Sequence, residues 1–485
     1  LHALYLKVGF VLPPISAYPC FFNLPCRVPF ELNKGKIQAQ VSNVNKRPNR
    51  IIFAPHKTAT VMLDIKLIRE KPAFVKERLV HKNYGQPEQV DQIIALDAER
   101  RTLQQQLDAV LNQSNLAAKE IGGLMKEGKK AEAEVKKAEV TGLKEQEKQL
   151  KEQLTAVEQQ QQDIAIQLPN LPAALVPAGK TPEENEVVRQ GGNIPELPAD
   201  ALPHWELIKK YDIIDFEAGV KITGSGFPVY KGQGAKLQRA LVSYFLDYNI
   251  AAGYTEYIPP YMVNAESAYA TGQLPDKEGQ MYHMPADEFY MIPTAEVPVT
   301  NVYRDTILKE SDLPVKMTAF SQCFRREAGS FGANVRGLNR VHQFEKVEII
   351  QIVHPDQSHA ILDAMVAHVE GLVKSLELPY RILRLCGGDM GFASAITYDF
   401  EVFSAAQQKW LEVSSVSNFE SFQANRMKCR FKSAETGKTV VCHTLNGSSL
   451  ALPRIVAALL ENGQTEEGIE LPEVLRGYFG KSSIG

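Results

Sequence analysis

At 485 residues the chain has room for two or three domains with real cores, and its 44% hydrophobic and 23% charged content is ordinary for soluble globular protein. The net charge of -3 excludes holding nucleic acid by overall charge, so any such contact needs a local basic patch. Cys20, Cys26, Cys323, Cys386, Cys429 and Cys442 are widely spread with no Cys-x-x-Cys pair, which argues against a disulfide framework and a cysteine-rich zinc site, and no apolar run reaches membrane-spanning length.

The first methionine is Met62. Residues 1–61 hold one acid, Glu31, against several Lys and Arg, and are broken by Pro13-Pro14, Pro19, Pro25 and Pro29. Neither helical nor strand periodicity runs through them. They are expected to be translated upstream sequence that belongs to no fold and is poorly ordered. The rival is a cleaved organelle transit peptide, a class that is basic and poor in acids.

From Ile93 the apolar positions step by three and four: Ile93, Leu96, Leu103, Leu107, Val110, Ala117, Ile121, Leu124, with Arg100 and Ser114 as polar exceptions. A second series runs Val140, Leu143, Leu150, Leu154, Val157, Ile164, Leu168, interrupted by Glu147 and Gln161. Between them Gly128 can supply a turn. Two heptad helices and a short polar turn predict an antiparallel hairpin within a first domain, residues 62–168. Each helix of some thirty residues reaches about 50 Å. Lys119, Lys126, Lys129, Lys130, Lys136 and Lys137 gather towards its tip, where a cationic rod could follow a phosphate backbone. Heptads alone favour an oligomerisation coiled coil or a simple solvated helical pair. Leu168-Pro-Asn-Leu-Pro stops the second helix, and residues 169–200, rich in Pro, Gly and Glu, read as a linker.

Residues 201–485 should hold a compact α/β domain, the one that the resemblance given below makes catalytic. Ala235–Ile250 is apolar at helical spacing and feeds the short strand Gly253-Tyr-Thr-Glu-Tyr-Ile-Pro-Pro260. Tyr290-Met-Ile-Pro-Thr294-Ala295-Glu296 reads as an edge strand closed by a helix cap, Thr294. Then comes Phe324-Arg325-Arg326-Glu327-Ala328-Gly329, with Gly332, Arg340, His342-Gln343-Phe344 and Lys346-Val347-Glu348, as a strand, loop and strand. Arginines there can fork onto phosphate or carboxylate, and a phenylalanine offers a flat face to a purine. A surface hairpin with scattered ion pairs is the bland alternative. Ser358–Leu376 should be an amphipathic helix, and His354, His359 and His368 surface or capping residues, since they lack metal-ligand spacing. In the alternating stretch Trp410-Leu-Glu412-Val413-Ser414-Ser415, an inward Glu412 and Ser415 could put oxygen ligands on Mg²⁺. Thr444-Leu-Asn446-Gly447-Ser448-Ser449-Leu-Ala-Leu-Pro453-Arg454 places small residues and an arginine at a helix start. No P-loop Gly-Lys-Ser/Thr occurs, which argues against a Walker-type ATPase.

The string from Phe324 to Glu348 resembles motif 2 of class II aminoacyl-tRNA synthetases, and its His-Gln-Phe-x-Lys-Val-Glu half resembles the seryl-tRNA synthetase family. The helix and strand at 235–260 are similar to motif 1, the stretch 444–454 to motif 3, and Met62–Pro72 to a bacterial seryl enzyme's beginning. The resemblance implies an α+β protein: an antiparallel-sheet catalytic domain with an N-terminal antiparallel coiled-coil arm. It implies ATP-dependent activation of L-serine to seryl-adenylate, then transfer to tRNA(Ser) and tRNA(Sec), by a cytoplasmic homodimer with Mg²⁺. Arg325 and Arg454 become the catalytic residues. Thr294, Ala295, Glu296, Glu348, Asn446 and Ser448 are assigned to serine. Arg325, Arg326, Glu327, Val341, Phe344, Glu412, Val413, Ser414, Ser415 and Arg454 are assigned to ATP. Glu412 and Ser415 would hold the metal, and Lys126, Lys129 and Lys130 the long variable arm of the tRNA. Two other readings fit the chain less well: a paralogue that loads a carrier protein, and a non-catalytic RNA-binding or coiled-coil scaffold.

Overall fold

The computed structural model describes residues 63–328 and 336–485. The expectations for residues 1–61, and for Gly329 and Gly332 of the arginine-rich string, lie outside the described residues.

Two short helices open the described chain, α1 (Ile65–Glu70) and α2 (Pro72–His81). The Asp64 side chain caps α1 by accepting from Lys66 N at 2.8 Å, and Pro72 starts α2 with its fixed φ and no wasted N–H. The hairpin follows as α3 (Gln89–Lys126, 38 residues) and α4 (Lys130–Ala165, 36 residues), each about 55 Å long. Gly128 makes the turn in the left-handed region at φ 78°. The expected heptad positions face inward, with Leu103, Leu107, Leu154 and Val157 forming one buried cluster. Gln161, a polar interruption of the second series, is buried and donates to the Ile93 carbonyl at 3.4 Å. The heptad reading missed Asp97, which is buried at the base between Arg69 at 3.0 Å and Arg100 at 3.2 Å.

The stretch 169–200 is more than a linker. Asn170 Nδ2 donates to the carbonyls of Ala393 at 2.9 Å and Phe419 at 2.8 Å. Residues Glu186–Gly191 form strand β1 at one edge of the main sheet. Composition hid this strand because its partner is some two hundred residues away.

The sheet also contains β2 (Thr255–Tyr257), β3 (Val315–Phe324), β4 (Gln343–Val353), β5 (Tyr380–Arg384), β6 (Ile396–Ser404), β7 (Lys409–Glu420) and β8 (His443–Ala451). Its spatial order is β1, β5, β6, β7, β8, β4, β3, β2. Every pairing is antiparallel except β2 with β3. The helices of the body are α5 (His204–Lys210), α6 (Phe216–Ile222), α7 (Gly232–Ala251), α8 (Ala265–Ala270), α9 (Glu296–Asn301), α10 (Ser358–Ser375), α11 (Phe422–Met427), α12 (Leu452–Asn462) and α13 (Glu473–Phe479).

One sheet face packs on α7, α10 and α12. Val347, Ile349, Phe400, Val402, Val416 and Leu445 meet Leu241, Phe245, Val369, Leu372, Ile455 and Leu459 there. Each such fully buried side chain contributes about 1.5–3 kcal/mol. On the other face a smaller apolar patch covers only part of the sheet: Met317, Ala319 and Ile350 under Ala295 and Val299 of the α9 turn and Ala424 and Met427 of α11. The remainder of that face carries polar side chains.

The histidines divide. His354 caps a short turn by accepting from Asp356 N at 3.2 Å, and His359 lies exposed beside Glu420. His368 corrects the surface expectation: it packs against Tyr248 and Tyr254, its Nε2 2.8 Å from Asn249 Oδ1, and burial pulls its pKa down to about 4.

Candidate active site

Strand register decides which side chains share the polar face. Glu348 pairs with Ala319 on β3 and with Ser448 on β8, Asn446 pairs with Ser417 on β7, and Ser415 pairs with Asp399 on β6. Paired residues point the same way, as do alternate residues along a strand. Phe344, Lys346, Glu348, Asn446, Ser448, Ser415 and Asp399 therefore line one surface.

Glu412 and Ser415 are three residues apart, a spacing that sends them to opposite faces of a regular strand. A bulge resolves this. The register jumps between Phe400↔Ser414 and Glu401↔Glu412, leaving Val413 without a partner, and the extra residue returns Glu412 to the face of Ser415. Val413 and Ser414 are buried instead, the Ser414 hydroxyl donating to the Ser448 carbonyl at 2.6 Å.

At one end of this surface two carboxylates meet. The N-cap of α9 is Ala295 and not Thr294 as expected, yet the Thr294 hydroxyl accepts from Glu296 N at 3.2 Å and so ties the start of the helix to the segment before it. Glu296 is buried, its Oε1 accepting from Gln423 Nε2 at 2.6 Å, while Gln423 Oε1 accepts from Thr444 at 2.7 Å. Glu348 pairs with Lys346 at 2.9 Å and faces the Ser448 hydroxyl at 3.4 Å. Burial raises the Glu296 pKa to about 7, with a further push from Glu348, against hydrogen bonds from Gln423 and Asn446 and the charge of Lys346. The ammonium of Lys346 is paired with Glu348, so Glu296 gives up its proton only near neutrality and becomes a carboxylate readily when a second cation arrives. The side chain of Ala295 points into the apolar patch.

At the other end are the arginines. The Arg325 guanidinium lies over the Phe344 ring, 5.3 Å from its centroid, and Arg325 N donates to the His342 carbonyl at 2.9 Å. Arg326 is exposed, Glu327 forms an ion pair with Arg340, and Val341 is buried. Arg454, in the first turn of α12, donates from Nη1 to the Glu412 carbonyl at 2.8 Å and stands 3.6 Å from its carboxylate. Asp399 sits beside Glu412 and Ser415. Its Oδ1 is enclosed and finds no hydrogen-bond partner among the described residues, and burial plus the Glu412 charge push its pKa well up. A cleft of about 370 Å³ between Trp205, Asp212, Phe216 and Arg336 contains none of these groups.

The sequence reading missed Lys346, Gln423, Thr444 and Asp399 as members of this surface. Lys346 was legible, since it stands two before Glu348 on a strand. Gln423 and Asp399 gave no local signal, because long-range pairing alone brings them in.

The arm lysines lie far from this surface along the hairpin. Lys126 and Lys130 are exposed, and Lys129 pairs with Glu127 at 2.9 Å. Lys136 bridges to Glu120 across the hairpin at 3.0 Å. Six lysines against four glutamates leave residues 119–137 with net charge +2, a milder patch than the lysines alone imply.

Comparison with known proteins gives a consistent picture. The family model of the seryl-tRNA synthetase N-terminal domain matches residues 62–172, and that of the tRNA synthetase class II core domain (G, H, P, S and T) matches residues 282–463. The serine–tRNA ligase of Salinibacter ruber is 50% identical over 425 residues, 87% of this chain and 99% of that protein. Among solved structures, a seryl-tRNA synthetase from Pyrococcus horikoshii complexed with ATP superposes with a TM-score of 0.81 at 32% identity, over 87% of this chain and 99% of that one. A cytoplasmic serine–tRNA ligase from Naegleria fowleri in complex with AMP gives 0.77 at 26% identity, over 87% and 98%. Arm, sheet, polar face and relatives agree, and the chain belongs to the seryl-tRNA synthetase family of class II aminoacyl-tRNA synthetases.

Proposed function

We propose that this protein activates L-serine with ATP to seryl-adenylate and passes the seryl group to the 3′-terminal ribose of tRNA(Ser), and also of tRNA(Sec). The observation that carries the reading is the single polar face holding an acidic pocket at one end and Arg325, Phe344, Glu412 and Arg454 at the other.

Serine enters ammonium first, towards Glu296, Thr294 and Glu348, and its charge favours the carboxylate form of Glu296. Asn446 and Ser448 face its hydroxyl. A pocket built to bond a hydroxyl rejects alanine because its own buried polar groups are then stranded. Adenine stacks on Phe344, with Arg326, Glu327 and the backbone around Val341 beside the nucleotide. The serine carboxylate attacks the α-phosphorus in line, Arg325 stabilises the charge developing there, and pyrophosphate leaves along Arg454. No covalent enzyme intermediate is needed.

The donors around Glu412, Ser415 and the orphaned Asp399 Oδ1 are all oxygen, which fits Mg²⁺. No cluster of three or more His, Cys, Asp or Glu ligands occurs among the described residues, so phosphates and water would complete the shell, as this ion prefers. Held by Glu412 and Ser415, the ion would neutralise phosphate charge.

The arm would hold the long variable arm of the tRNA through Lys126, Lys129 and Lys130, binding by charge without reading bases. Homodimerisation would use α7 and the sheet edge at β2, where Ile258 is 88% exposed. The domain division given above and a cytoplasmic location belong to the same proposal. Serine-dependent ATP–pyrophosphate exchange tests activation, and charging of purified serine tRNA tests transfer. A scaffold shows neither, and a carrier-protein ligase shows the first alone.

A further inference from the structure

Behind the phosphate end lies a buried polar network that the chemistry above does not use. The Glu461 carboxylate on α12 accepts from His204 N at 2.8 Å, His204 Nδ1 at 2.7 Å, Gln407 Nε2 at 2.7 Å and the Ser404 hydroxyl. The His204 and Glu461 side chains are both 0% exposed. On its far side His204 Nε2 accepts from the backbone N–H of Leu338 at 2.9 Å. A backbone N–H can only donate, so Nε2 is bare and the ring proton sits on Nδ1, aimed at Glu461.

Leu338 belongs to the tight turn Gly337–Asn339, which closes the loop between β3 and β4. Gly337 has φ 66°, and a Cβ there would stand 2.3 Å from His204 Nε2. Asn339 Nδ2 donates to Gln407 Oε1 at 2.9 Å, and the Asn339 carbonyl accepts from Arg454 Nε at 3.0 Å. Arg454 and Glu461 lie two turns apart on α12, so the turn is bolted to that helix at both ends.

We propose that His204 is a positioning residue for ATP: backed by Glu461, it fixes the turn Gly337–Asn339, and through the Asn339 carbonyl it sets the direction of Arg454. This rests on the assignment of Arg454 to the ATP phosphates. A buried carboxylate is costly, and apolar packing would fill the space more stably. What the pair supplies is a defined acceptor for one backbone N–H of a turn outside the sheet.

The two halves of the imidazole can be separated. His204→Asn keeps a donor near Nδ1 for Glu461 and loses the acceptor for Leu338. His204→Gln reaches the Nε2 position and keeps that acceptor. With wild type, both variants and Gly337→Ala, ATP and serine KM are measured in exchange, ATP affinity by calorimetry, and Tm in parallel. His204→Asn is expected to raise the ATP KM about tenfold, the worth of one buried hydrogen bond, with serine KM unchanged. His204→Gln stays close to wild type. Gly337→Ala pushes the turn away and reproduces the ATP-selective effect, which covers a His204→Asn variant that does not fold. The proposal is overturned if ATP and serine constants move together, if neither moves, or if His204→Asn outperforms His204→Gln. A wild type without serine-dependent exchange would instead sink the proposed function. The calorimetric ATP affinities then decide this proposal alone: the same ordering supports it, and equal affinities overturn it.

Discussion

The arm and the catalytic sheet are built on opposite plans. In the arm, the apolar contacts join residues that heptad spacing already places on one stripe, and the two helices meet along a narrow seam that includes Leu103, Leu107, Leu154 and Val157. In the sheet, the strands that build the polar face include pairs far apart in sequence: β8 lies between β4 and β7, and Glu348 meets Ser448 across a ladder. A narrow seam presents a long charged surface but cannot enclose a substrate. A sheet covered on one face can leave enclosed polar ground on the other, where charges act strongly because water is excluded. The division implies that small-molecule chemistry and tRNA grip can be broken separately.

The strongest way to break it is to shorten the arm. Ile93 and Ala165 belong to the cluster at the arm's base together with Val75, Leu79 and Leu168, so a cut there would damage the body. Replacing residues 112–149 with a short glycine turn keeps that base and the seam above it. Charging of serine tRNA should fall below detection while serine-dependent exchange stays within about twofold of the full chain, since the proposed ATP and serine contacts lie on the sheet. Retained charging would refute the arm's role. The converse break is Arg325→Ala, which removes the charged donor proposed for the α-phosphate. Exchange should drop about 10³-fold with Tm little changed, the scale of losing one transition-state donor.

A smaller effect comes from pH. In the free protein Glu296 titrates at about 7, and an ammonium ligand favours its carboxylate form. Serine binding must then expel a proton below pH 7, and serine KM should rise about tenfold for each pH unit below that point. Glu296→Gln should remove this dependence and leave a weaker, flat KM. The stability sign runs opposite to that of a salt-bridged acid. The folded pKa is raised above the usual 4.5, so the native state keeps a proton that the unfolded chain loses, and this group's contribution falls as pH rises from 4.5 to about 7. Smallest of all, the triple change of Lys126, Lys129 and Lys130 to Ala should raise tRNA KM several-fold and flatten its salt dependence, with exchange unaffected. The net charge of only +2 at the tip sets that modest size.

The same contrast governs what the sequence made legible. Heptad spacing is local, so the hairpin, its glycine turn and its inward positions could be read directly, and the motif strings located Arg325 at the end of β3, Glu348 on β4 and Arg454 at the start of α12. Asp97 escaped because helix α1 buries it, through Arg69, at a non-heptad position. His368 escaped because the tyrosines that enclose it come from α7 and its neighbourhood. The bulge at Val413 could not be read from alternation, and without it Glu412 and Ser415 could not share a face. Gln423, which links Glu296 to Thr444, sits in a short helix whose sequence gives no sign of its partners.

The central claim is that one polar face of the sheet holds the amino acid and the nucleotide together. A crystal structure with a non-hydrolysable seryl-adenylate analogue tests it most directly. The account predicts the ligand's ammonium within hydrogen-bonding distance of the Glu296 carboxylate, its adenine on the Phe344 ring, and the phosphate mimic beside Arg325. An analogue seated away from this face, or one whose ammonium turns from Glu296, would contradict it.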